Sequence, residues 1–221
     1  MQAEDFQTII RDDDKVRAAL SRMDLSKEQI SQIARSALSA RAEYLEGIDP
    51  KNAPGQKAYM AGVRQLRLEL LPGGWKSARY NNIEMVVNHE LGLMLGFQNV
   101  DMACQASSPR AISERGPGTR DLVARSYETD LFQSEVLPTN VYQSGDRPVI
   151  WFVCVAATTD SLQVEVSRPK PFDGDQFDGF FDRIYVLDEK LDTPAAAPTD
   201  TDTEGLDDIE INISKKANGD S

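Results

Sequence analysis

Between Val149 and Val166 the chain reads VIWFVCVAATTDSLQVEV, an uncharged apolar run, a polar turn and then strict alternation. In an extended strand Ile150, Phe152 and Cys154 point one way and Val149, Trp151, Val153 and Val155 the other, so both faces need cover and the strand is expected at the centre of a sheet. After Thr158, Thr159, Asp160 and Ser161, the side chains of Leu162, Val164 and Val166 alternate with Gln163, Glu165 and Ser167, the pattern of a strand with one wet face. The two together predict an antiparallel hairpin around which the remaining elements must pack.

What surrounds that hairpin is bounded by length and charge. The 221 residues suffice for one sizeable core, alone or with a helical appendage. No apolar run approaches the roughly 20 residues needed to span a bilayer, and MQAEDFQTII has neither a basic start nor an apolar stretch of the kind a signal peptide carries. These features predict a cytoplasmic protein without membrane contact. The two cysteines, Cys104 and Cys154, stand 50 positions apart, and Cys154 falls in the central strand as a small buried hydrophobe, which fits a reduced compartment. The net charge of -12 is uneven: residues 1–71 carry 11 acidic and 11 basic side chains, residues 72–191 carry 17 against 11, and residues 192–221 carry 8 against 2. Such a body lacks the general positive field that holds nucleic acid, leaving local basic clusters as the only route to phosphate.

Before the central hairpin the chain reads as helices and then strands. Phe6, Ile9, Ile10, Val16, Leu20 and Met23 lie near helical spacing, interrupted by Asp12, Asp13 and Asp14, and predict one helix or two short ones. Ser26 with Gln29 forms a capping box ahead of the stripe Ile30, Ile33, Ala34, Ala37, Leu38, Tyr44, Leu45, which Gly47, Asp49 and Pro50 end. Pro54 suits the first turn of a third helix carrying Tyr59, Val63, Leu66 and Leu70, stopped by Pro72, Gly73 and Gly74. Ile83, Met85 and Val87, then Leu91, Leu93, Leu95 and Phe97, predict a second hairpin turning near Asn88, His89 and Glu90; the glycines Gly92 and Gly96 on one face suggest a helix or backbone lying close over it. Residues 101–118 read as a loop, and Thr119 as the cap of a helix through Leu122, Val123 and Phe132. An irregular acidic loop from Phe172 to Phe181 leads to a last strand built on Ile184, Val186 and Leu187. Beyond Leu191 the composition turns to Pro, Ala, Thr and Asp, the signature of a disordered acidic tail.

This order of features resembles uncharacterised proteins of similar length carried by bacterial plasmids, integrated elements and prophages. The likeness rests on Gly74-Trp75, the hairpin that follows, Arg115-Gly116-Pro117-Gly118-Thr119, and Val164-Glu165-Val166-Ser167-Arg168-Pro169 leading to Arg183-Ile184-Tyr185-Val186, and spans most of residues 40–187. The resemblance implies a context, that of mobile elements in conflict with their hosts, and transfers no catalytic residue.

Several local patterns point to chemistry. Arg110, Arg115, Arg120 and Arg125 surround Gly116 and Gly118, and a glycine turn feeding a helix start at Thr119 leaves free N–H groups that suit an anion. Spacing of five does not align the four arginines on one helix face, and the Lys-Ser/Thr ending of a nucleotide loop is missing. His89, the sole histidine, lacks a second histidine four residues on and reads as an exposed turn residue beside its catalytic alternative. Asp160 and Glu165 are spaced like the carboxylates of a hairpin magnesium site, although Ser167 stands where a lysine is expected and Glu165 is equally explained as the wet face of its strand. Asp173, Asp175 and Asp178 depart from a calcium loop, which needs glycine at the sixth position and glutamate at the twelfth. In the tail, Leu206, Ile209, Ile211 and Ile213 alternate with acids as a segment able to add a strand to a partner's sheet.

The expectation is therefore an α+β fold: a helical region (1–71) packed on a mostly antiparallel sheet of about five strands (72–191), then a disordered acidic tail (192–221). No cofactor is called for, and the oligomeric state is open. The leading expectation for function is a non-enzymatic accessory protein of a mobile element or phage that binds a host or element-encoded protein, with an acidic mimic of nucleic acid as a specific form. Two other classes stand beside it: a metal-dependent nuclease or phosphoryl-transfer enzyme using Asp160, Glu165 and a third carboxylate, and a nucleic-acid-binding module using Arg110 to Arg125.

Overall fold

The computed structural model describes residues 7–80, 83–112, 120–121, 123–124, 148–173 and 176–191. The chain divides into two units, Met1–Leu191 and Asp192–Ser221, and all of the described residues belong to the first. The segment carrying Leu206, Ile209, Ile211 and Ile213 lies outside them.

The central hairpin forms as its pattern dictates. Strands β5 (Val149–Ala157) and β6 (Ser161–Pro169) pair antiparallel, with Val155 opposite Val164 and Cys154 opposite Glu165. Eight consecutive residues of β5 are buried, so both of its faces are indeed covered. On either side the sheet extends through β1 (Thr8–Ile10), β2 (Lys76–Tyr80), β3 (Ile83–Asn88), β4 (Leu93–Asn99) and β9 (Phe180–Lys190), in the order β1-β9-β6-β5-β4-β3-β2. A separate ribbon pairs β7 (Phe172–Asp173) with β8 (Gln176–Phe177) inside the expected acidic loop. The sheet is mixed: β1 runs parallel to β9 and β4 parallel to β5, and the other neighbours are antiparallel.

Seven strands rather than about five make up this sheet, and the two additional ones are its edges. Thr8, Ile9 and Ile10 were expected in a helix. They pair instead with Asp182, Arg183 and Ile184, because β-branched side chains favour an extended backbone and the helix cap comes only at Asp12. Lys76–Tyr80 has no apolar alternation and is a strand only through its ladder with β3.

Three helices lie on one face. α1 (Asp13–Ser21) starts at Asp12, whose carboxylate accepts from the Lys15 N–H, with Asp13 and Asp14 in the first turn where the helix dipole favours anions. α2 (Lys27–Ala42) carries the predicted capping box: Ser26 Oγ accepts from the Gln29 N–H, and Gln29 Oε1 accepts from the Ser26 N–H. α3 (Ala53–Leu70) has proline in its first turn and passes into a 3-10 turn, Leu71–Gly73, ended by Gly74 at φ +97°. Buried side chains of all three helices share one core with Trp151, Val153, Val155, Val164, Val166 and Ile184 of the sheet, so residues 7–71 and the sheet are one folded body.

The glycines of the second hairpin work differently from expectation. A Cβ on Gly96 would stand 2.9 Å from the ring of Phe152, so the glycine admits a neighbouring strand's side chain rather than a helix or backbone. Close approach of a helix occurs at Gly62 of α3, where a Cβ would come within 2.4 Å of the Phe97 ring.

The opposite face has its own core. Met85, Ile150, Phe152, Cys154, Ala156 and Phe180 pack there with Val100, Ala103, Ala111 and Val123 from the segment after β4. That segment is closed on itself by the Val100–Ala111 bridge, by the Asp101 N–H donating to the Arg110 carbonyl and by the Ile112 N–H donating to the Asn99 carbonyl. It is the loop that turns the nominally wet face of β6 into interior.

Candidate functional site

Glu165 was expected on the solvated face of β6. It is 0% exposed, because residues 101–111 pass across that face and β9 supplies Arg183, itself 0% exposed, to neutralise it. Oε1 accepts from Arg183 Nε at 2.9 Å and from Ser167 Oγ at 2.7 Å; Oε2 accepts from Arg183 Nη2 at 2.7 Å and from the Cys104 N–H at 2.8 Å. Four donors fill the carboxylate's acceptor positions, which is how a buried charge is tolerated at all.

The position is built by a bulge. Val164 sits opposite Leu187 and Glu165 opposite Tyr185, leaving Val186 unpaired on β9 and the ladder interrupted. Cys104 occupies the interruption, with Sγ 3.2 Å from the Val164 carbonyl oxygen and 3.3 Å from that of Leu187, as a donor to this pair. To reach it the backbone takes φ +57°, a left-handed conformation costly for a residue with a Cβ. Tyr185 ties down the next residue by donating its hydroxyl to the Gln105 carbonyl at 2.5 Å, and its ring lies 5.0 Å from the Arg183 guanidinium and 5.1 Å from that of Arg11.

The electrostatics follow from burial. Desolvation, reinforced by the nearby Glu165 carboxylate, pushes the Cys104 thiol up to about 12, so it is a thiol donor rather than a nucleophilic thiolate at neutral pH. Burial also raises the Tyr185 phenol. For Arg183, burial opposes the charge, and the hydrogen bonds and charge of Glu165 outweigh it, so the group is held above the ordinary guanidinium range. This arrangement clamps a loop to a sheet; it offers no open coordination position.

The other sequence candidates are dispersed. Asp160 is exposed in the β5–β6 turn, and five strand residues, about 16 Å at the usual rise, separate it from Glu165. His89 is exposed in the β3–β4 turn, as expected. Arg110 is exposed, its N–H donating to Asp101 Oδ1 at 2.8 Å, and Arg120 is helical. Arg115, Gly116, Gly118, Thr119 and Arg125 lie outside the described residues, as does Asp175; Asp173 falls in β7 and Asp178 is exposed after β8. Among the described residues no three His, Cys, Asp or Glu side chains gather as metal ligands, and neither Cys104 nor Cys154 is in a disulfide.

A surface feature stands out instead on the outer side of α3. Met60 is 71% exposed, Leu68 58% and Leu71 39%. At 100° per residue positions 60, 64, 68 and 71 fall within one narrow arc, so these side chains form a stripe with Arg64, turned away from the buried Val63, Leu66 and Leu70. With Tyr59, Arg67 and Glu84 of β3 the stripe lines a groove of about 460 Å³. Glu84 accepts from Arg67 Nη2 at 2.5 Å and pairs with Arg79 Nε at 3.2 Å. Among the residues that line the groove, Arg64 and Arg67 are the cations and Glu84 the carboxylate.

No family model, curated protein or solved structure matches the chain. Both features were missed in the sequence for traceable reasons. Arg183, a cation directly before the apolar run Ile184-Tyr185-Val186-Leu187, marked a buried partner for Glu165. The apolar residues of α3 and of the turn that follows it, at positions 60, 68 and 71 as well as at 59, 63, 66 and 70, covered more of the surface than one core-facing stripe requires.

Proposed function

We propose that this protein is a non-enzymatic accessory protein of a mobile element or phage, acting by binding a host or element-encoded protein through the outer face of α3. The observation that carries the reading is the stripe Met60, Leu68, Leu71 beside the Arg64 and Arg67 guanidiniums. Exposed apolar side chains grouped in a groove and rimmed by charge are the composition of a protein-recognition surface. The mobile-element context comes from the resemblance in residues 40–187.

The acidic-mimic form of this idea requires long rows of exposed carboxylates. Among the described residues the carboxylates are instead interleaved with cations: Asp13 with Arg17 and Lys27, Glu28 with Arg17, Asp49 with Lys57, Glu189 with Arg35 and Asp182 with Arg168. We therefore leave the mimic out of the proposal. The nuclease reading needs Glu165 as a metal ligand, and all four of its acceptor positions are engaged.

Affinity purification of the full-length protein from cells that carry it, with partner stoichiometry measured by quantitative mass spectrometry, tests the reading. A protein recovered at a fixed ratio is the expected result. Recovery of the chain alone, together with magnesium-dependent cleavage of DNA or RNA by it, would overturn the proposal in favour of the enzyme.

A further inference from the structure

We draw no further inference here: the strongest candidate, the groove along the outer side of α3 lined by Met60, Arg64, Leu68 and Leu71, belongs to the surface already described, and nothing in the structure shows what covers it.

Discussion

At the scale of the residue, the Glu165–Arg183 pair determines how the second face is closed. Removing one partner strands a buried charge, and such losses typically cost 3–5 kcal/mol, whereas replacing both by apolar residues of similar volume is far milder. Glu165→Ala should therefore lower the urea unfolding free energy by about 3–5 kcal/mol, with Arg183→Met alongside it recovering most of the loss. Additive losses in the double variant would show that the two side chains do not act as one unit. Cys104 supplies a pH signature. Its folded pKa of about 12 lies above the ordinary thiol value of 9.0, so the unfolded chain gives up the proton first as pH rises. Stability from this group is full below pH 9 and declines between 9 and 12. Tyr185, also raised by burial, changes stability in the same direction. Urea midpoints measured from pH 8 to 11 should fall, and fall less in Cys104→Ala; the folded thiol should react with iodoacetamide far more slowly than a free cysteine at pH 8. Rapid alkylation of the folded protein would contradict the buried, protonated thiol.

At the scale of the element, α3 is held by its close approach to β4. The Phe97 ring lies where a Gly62 side chain would be, so Gly62→Ala must displace an aromatic ring from a packed core, at about 1–3 kcal/mol. Thermal melts should show that loss and its partial recovery on adding Phe97→Leu; an unchanged midpoint would mean that the helix stands further off. The same elements show how much of the fold could be read in advance. The β5–β6 hairpin was legible because an uncharged run fits only a strand covered on both faces, and α2 because Ser26 and Gln29 satisfy its first N–H groups locally. β1 and β2 were not, since three residues and a polar pentapeptide become strands only through a partner's ladder. Glu165 was misread for a related reason: alternation assigns a residue to a face, while what covers that face depends on a loop more than 50 positions away in sequence. The α3 stripe was legible in principle, as apolar residues in excess of one buried face.

At the scale of the whole molecule, the two sides of the sheet differ. One is sealed by a loop whose backbone is bonded to an internal carboxylate; the other carries a helical layer that ends one strand short of the sheet's edge. Among the described residues no helix is long and apolar enough to cross a membrane. The claim that the α3 stripe is the working surface is tested most directly by Leu68→Lys, which alters an exposed position and leaves the core intact. Full-length wild-type and variant protein are purified side by side from cells carrying them, and partner recovery is compared with the urea midpoint of each. The prediction is that partner recovery falls at least tenfold while the midpoint stays unchanged; undiminished recovery with the variant would contradict the account.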